Sequence, residues 1–412
     1  MAAKITQVSD IKEITLERMN EELFDPTLDF NEKALITNIR ERLDAIPIAN
    51  NSMTSDELRQ IVVDYLKLSV SFQWVCDRYL AFSDKPAQTF YKGKLYGGIP
   101  YINTASGNLY RWLLYYNEET GVMDTTHLAE IPRLFGTACS GTAGWALHRV
   151  VNSAEISWTH SMNVIHGFVP VGPYRYDYSK PICWTKNPDG KRTLHYSCKK
   201  ICKANGEQIM FESYAMALPA DCFSSNGHVR LAGEKPVVVR NEDGTIDGEK
   251  STVTLIEQGL YTVDSYHKRK TEDGTDYLIR GCDGKAFTFL ELFNAGYLVH
   301  TFREFLGLDP VEDGKAEFIQ KEAEEGAEPE PLMLEANYPS SDVFTSLKNE
   351  KGEEVHRHVK HACPHFVYRM KATDCLPVEA LKEAREQEGF TVEVKAQLST
   401  GVLYTVYSGP LS

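Results

Sequence analysis

The chain is short of positive charge. Against 58 Asp and Glu it carries 44 Lys and Arg, a formal net charge of −14 over 412 residues. Neutralising phosphates needs a Lys/Arg surplus on some face, so a nucleic-acid partner is not expected. The acidic balance serves solubility and offers an attractive field to a cationic substrate. Long apolar runs are missing too. The opening MAAKITQVSDIKEITLERMNEELFDPTLDF holds no stretch of seven or more apolar residues, so neither a signal peptide nor a membrane span is expected. The protein is then expected to be cytoplasmic, or in the cell envelope or outside the cell if an export signal has been removed. Cysteine is thin: Cys76, Cys139, Cys183, Cys198, Cys202, Cys222, Cys282, Cys363 and Cys375 are scattered and odd in number, which argues against a disulfide scaffold. No internal repeat is visible.

What is present is globular in character. Hydrophobic residues make up 42% and charged residues 25%. A chain longer than about 250–300 residues usually divides its core, so two or three domains are expected. Residues 1–90 read as helical. In MTSDELRQIVVDYLKLSVSFQWVCDRYLAF, Thr54 and Glu57 have capping-box spacing, and Ile61, Tyr65, Leu68 and Phe72 recur at helical intervals. Phe72, Trp74 and Tyr79 are expected in the core. From 91 to 310 short apolar runs broken by Gly, Pro and Asn predict an α+β domain: a helix from ACSGTAGWALHRVV, strands at GHVRLAG, KPVVVRN and KSTVTLIEQ, a turn at NEDGTIDGE, and a last helix, TFLELFNAGYLVHTFREFLG, ending at Gly307. Residues 311–331 are acidic and end in alternating Glu and Pro, the composition of an exposed linker. Beyond them, period-two alternation over 332–412 predicts a C-terminal all-β module of sandwich type.

Cysteine chemistry needs a thiolate, and the first turn of a helix favours one through its unpaired N–H groups and its dipole. Cys139 is expected there, with small residues from Ala138 to Gly144 around it and Trp145, Leu147 and Val150 turned to the core. A base is offered by His228, at the start of the GHVRL strand after a Gly turn. An acid is offered by Glu257, which shares a strand face with Val253 and Leu255. A carboxylate on a buried face needs a partner such as an imidazole. Thiol, imidazole and a third group that fixes the tautomer make up a nucleophilic constellation that needs neither metal nor cofactor.

In order along the chain, YGGIPY (96–101), ACSG (138–141), LPAD (218–221) and GHVRL (227–231) resemble the motifs of the NlpC/P60 cysteine peptidases, and LIEQG (255–259) resembles the Glu-bearing strand of the related CHAP amidases. The resemblance covers residues 91–262. Ala220 stands where the family has Gly before the Asp, Gly259 stands in place of the CHAP Asn, and 160–210 reads as an insertion. It implies a papain-like catalytic domain with Cys139 as nucleophile, His228 as base, Glu257 as orienting residue, and Tyr96 or Tyr101 as a hydroxyl near the oxyanion. It further implies a peptide or peptidoglycan-derived substrate. A different class of function is a papain-like fold that is catalytically idle and binds through its C-terminal module.

Three other groups compete. His356, His358, His361, Cys363 and His365 crowd into HRHVKHACPHF, where His356 and His358 share a strand face and suit zinc, but neither zinc-ribbon nor HExxH spacing occurs. His195, Cys198 and Cys202 lack a fourth partner. His160 and His166 are rival bases closer to Cys139 in sequence, without a following strand that delivers an acid.

Overall fold

The capping-box spacing does start a helix. Helix α1 (Ser55–Ser71) opens with the Thr54 hydroxyl accepting from the Glu57 amide at 3.3 Å and the Glu57 carboxylate accepting from the Thr54 amide at 2.7 Å. It buries Leu58, Ile61, Val62, Tyr65, Leu66 and Val70. The computed structural model describes residues 39–81, 89–93, 95–102, 107–126, 132–153, 156, 168–176, 184–186, 188–189, 192–194, 197–259, 267–270, 276–279, 281–320, 331–362, 366–385 and 389–410. The expected linker residues 321–330, His160, His166, Cys183, His195, Cys363 and His365 lie outside them.

The chain is mixed α+β and forms two units, one of residues 1–47, 52–147 and 155–310, the other of 48–51, 148–154 and 311–412. Helical character expected over 1–90 gives way at Phe72, whose backbone is extended (ψ 150°). Strand β1 (Gln73–Cys76) follows, buried at all four positions, because Trp74 and Val75 suit a sheet covered on both faces. The first unit continues with β2 (Leu95–Gly97), β3 (Val122–Met123), α2 (Cys139–Leu147), β4 (Val169–Pro170), α3 (Cys198–Asn205), α4 (Glu207–Ala215), β5 (Cys222–Ser224), β6 (Val229–Ala232), β7 (Thr252–Gln258), β8 (His267–Lys270), β9 (Asp276–Ile279), β10 (Gly281–Thr288), α5 (Phe289–Ala295) and β11 (Leu298–Thr301). Its two larger sheets run in the orders β8-β9-β2-β1-β3 and β10-β7-β6-β5-β11-β4, and two two-stranded pairs, Leu80–Ala81 with Thr89–Phe90 and Trp184–Lys186 with Arg192–Leu194, accompany them. The second of the larger sheets is antiparallel throughout. Helix α1 packs against α2 and β10, so it belongs to the same unit as the sheet instead of forming a segment apart.

Several expected boundaries differ. KPVVVRN makes only isolated bridges, Val237 to Thr252 on the edge of β7 away from β10 and Arg240 to Ile246, and Val237 is left 63% exposed. The last helix stops at Gly296, whose left-handed backbone (φ 80°) caps it; the β-branched residues of LVHT then become β11. In the second unit, four residues of the expected linker form strand β12 (Ala316–Ile319), paired with β13 (Met333–Lys348). β13 also pairs with β14 (Glu354–His361), β15 (Val367–Lys371) and β16 (Thr391–Leu398), and β17 (Leu403–Pro410) pairs with β16. The module is therefore one six-stranded sheet with two short helices, Ala372–Cys375 and Val378–Arg385, in place of the expected sandwich of two sheets. A sixteen-residue strand is long enough to pair one set of strands along its first half and another along its second. Among the described residues no helix is long and apolar enough to cross a membrane.

His300 on β11 is fully buried, its ring stacked on Phe168 at 4.7 Å, and among the described residues neither ring nitrogen has a hydrogen-bond partner. Burial pushes its pKa down to about 3. Because the folded value lies below that of the unfolded chain, the unfolded state takes up a proton first, and stability is lost as pH falls from about 6.5 towards 3. His300→Phe is expected to remove this loss, a difference on the order of 3 kcal/mol at pH 4, read from urea unfolding of both proteins across that window.

Candidate active site

The site is assembled from the start of α2 and one end of the antiparallel sheet. The segment before α2 is pinned: Thr137 donates its N–H to the Pro100 carbonyl at 2.8 Å, and Ile102 donates to the Thr137 carbonyl at 3.0 Å. This bridge sets Tyr101 beside Thr137, two residues before Cys139. Every residue of α2 is buried, and the run Ser140 to Gly144 is small, so the helix lies against α1, β6 and β7. Cys139 occupies its first turn, where N–H groups have no intrahelical acceptor.

His228 is delivered by the β5–β6 hairpin. Its carbonyl accepts from the Ser225 amide at 2.9 Å across the Asn226–Gly227 turn, and the Asn226 side-chain oxygen accepts from the Cys198 amide at 2.9 Å, tying the turn to α3. A side chain at Gly227 would meet open space, so the glycine's value lies in the turn itself. Strands β6 and β7 pair Leu231 with Ile256 and Ala232 with Leu255. Carried on, that register sets Arg230 opposite Glu257 with His228 on the diagonal. A bulge between Leu255 and Ile256 in the β7–β10 ladder, at Gly284 (φ 151°), accompanies the end of the simple alternation: Leu255, Ile256, Glu257 and Gln258 are all buried.

Here Cys139, His228 and Glu257 converge. His228 Nε2 hydrogen-bonds Glu257 Oε2, and the Cys139 side chain is a second hydrogen-bond partner of the ring. Burial lowers the His228 pKa, but the bonds to Cys139 and Glu257 and their charges outweigh it and raise the value to about 9. Glu257 takes a second donor, Arg230 Nε, on the same Oε2. The arrangement can hold a thiol in contact with an imidazole whose orientation a carboxylate fixes. Sequence reasoning overlooked Arg230, although its position two residues after His228 puts both on one face of a strand.

The LPAD segment is structural support. Ala220 has φ 67°, the left-handed region that favours glycine, at the position where the resembled motif carries Gly. Asp221 accepts from Arg59 Nη1 at 2.6 Å, with side chains 1% and 2% exposed, and from the Leu218 amide at 2.8 Å. Arg59 also reaches the Pro219 carbonyl at 2.7 Å and Thr301 Oγ1 at 2.8 Å.

The two tyrosines part company. The Tyr101 pKa is pushed up to about 12 by burial and by the neighbouring Cys139, which puts the phenol within electrostatic reach of the sulfur. Tyr96 is buried against Trp74 and Phe90, and its hydroxyl accepts from the Tyr91 amide at 2.9 Å. Of the competing groups, His361 bonds the buried Asp342 through Nδ1 at 2.6 Å and lies on the opposite strand face from His356 and His358. Cys198 and Cys202 lie in the apolar core, where burial raises both thiol pKa values, that of Cys202 to about 12. Among the described residues no group of three or more His, Cys, Asp or Glu side chains is placed to hold a metal ion. Comparison with protein-family models, curated proteins and solved structures finds no match.

The His228 ring is expected to titrate near 9 in histidine-labelled NMR spectra. Glu257→Gln should lower that value by at least one unit, because burial then acts against the Cys139 contact alone.

Proposed function

We propose that the protein is a papain-like cysteine peptidase or amidase of the NlpC/P60 and CHAP kind, acting on amide bonds in peptides of the peptidoglycan class. The observation that supports this reading best is the continuous contact from Cys139 through His228 to Glu257 where a helix start meets an antiparallel sheet. The Cys139 thiolate attacks the amide carbonyl carbon, and the displaced electron pair collects on oxygen beside the first-turn N–H groups of α2 and, by its proximity to Cys139, the Tyr101 hydroxyl. The His228 imidazolium gives its proton to the departing amine as the C–N bond breaks, leaving a thioester on Cys139. His228 then takes a proton from water, which attacks the thioester and releases the acid and the thiol. The substrate class is carried by the resemblance of the motifs around 96–101, 138–141, 218–221, 227–231 and 255–259.

Turnover of purified peptidoglycan, followed by mass spectrometry of released fragments, should vanish with Cys139→Ala. His228→Ala should lose nearly as much, and Glu257→Gln on the order of ten- to a thousand-fold, since it keeps an acceptor for the ring and removes only the charge. With His228 titrating near 9, the rate should fall as pH rises through that value. The same raised value means that the stability His228 contributes is fully present below about 6.5 and is lost as pH rises through 9. A folded His228→Ala variant with normal turnover overturns the assignment. A Cys139 alkylated no faster than free cysteine leaves the binding-module reading in its place.

A further inference from the structure

We propose that Arg230 is a positioning residue: clamped between two aromatic rings, it fixes the Glu257 carboxylate and its charge against His228. The proposal rests on the roles given above to Glu257 and His228.

Three observations carry it. The first is shared acceptance, since Arg230 Nε and His228 Nε2 both bond Glu257 Oε2. Two nitrogens on one oxygen lie no further apart than two hydrogen-bond lengths, about 6 Å. The second is the clamp. The guanidinium lies 4.0 Å from the ring centre of Phe287 on β10 and 4.7 Å from that of Tyr297, just before β11. The third is burial, the Glu257 and Arg230 side chains being 2% and 15% exposed.

A carboxylate that deep in the protein takes up a proton unless a cation holds it ionised. When His228 is neutral, Arg230 still supplies that cation. When His228 is protonated, Arg230 opposes it, so Glu257 orients the ring without holding its proton too tightly for release to a leaving amine. Lysine is a poor substitute, because the site uses a planar cation that stacks and donates through Nε at once. The charged and titratable groups facing His228 among the described residues are Cys139 from α2, Glu257 from β7 and Arg230 from β6, with Tyr297 close enough to feel both Cys139 and Glu257.

The test follows the His228 titration by NMR and, in parallel, the pH dependence of Cys139 alkylation by iodoacetamide; neither needs a peptide substrate. Arg230→Met removes the charge and keeps the length of the stem. The His228 titration should move upward by on the order of one to two units, a ten- to hundred-fold gain in proton affinity, and the alkylation profile should move with it. Arg230→Gln, which keeps a donor without the charge, should move both in the same direction and serves if the methionine variant does not fold. In a Glu257→Gln background the Arg230→Met shift should shrink to a small fraction, because the two act through one oxygen. An unmoved titration in both single variants overturns the proposal, as does an equal shift with and without Glu257. Loss of the proposed hydrolysis alone, with the titration shifts intact, would remove the peptidase reading and leave Arg230 in its role.

Discussion

The first unit is organised around the Arg59 guanidinium. It sits in the interior with Asp221 as counter-ion, the Pro219 carbonyl and Thr301 hydroxyl as further acceptors, and the Phe305 ring 4.6 Å from its centre. One side chain therefore ties α1 to the turn before β5, to β11 and to the short turn of helix after it. Burial raises the Asp221 carboxyl from its ordinary value, and Arg59, Thr301 and the Leu218 amide pull against that rise. A buried pair of this kind adds little net stability, but breaking it by removing one partner costs about 3–5 kcal/mol. Its effect is on geometry. Asp221 is one residue before β5, and the β5–β6 hairpin carries His228, so the position of the imidazole is set by an arginine more than 160 residues earlier.

From that anchor the site follows by local rules. Hairpin pairing fixes β6 against β5, the β6–β7 register puts Arg230 and Glu257 opposite one another, and α2 brings Cys139 to the open end of the same strands. Gly98 shows how tight the surroundings are: it sits at φ 71°, and a β-carbon there would lie 2.4 Å from the Val70 carbonyl oxygen of α1. That close approach turns the chain into Ile99 to Tyr101 and from there to the bridge with Thr137 beside Cys139.

What could be read in the sequence was local and periodic. The capping box of α1, the helix at Cys139, and the strands at GHVRL and STVTLIEQ each rest on a pattern within a dozen residues. What could not be read depends on distant partners. KPVVVRN has strand-forming residues, yet beside β7 it makes only the single bridge from Val237 to Thr252. LVHT looks like a continuing helix until Gly296 is seen to reverse the chain. Tyr96 and Tyr101 are equivalent in the motif, and only the packing of Trp74 and the bridge to Thr137 separate a core hydroxyl from one near the sulfur. Arg230 was legible as a face-mate of His228, but its two aromatic neighbours come from residues about sixty positions away.

In the second unit, the sixteen-residue strand Met333–Lys348 accepts four neighbours, and the fifth, β17, attaches to one of those. It works as a spine. Most ladders in the module have this strand as one rail, so no hairpin can peel away and leave an intact sheet behind. Hydrogen exchange there should show one shared opening energy for β13 and its partners instead of a gradient from edge to centre. A chain break within β13 would cost the module its fold, while a break in the 349–353 turn would leave each rail whole.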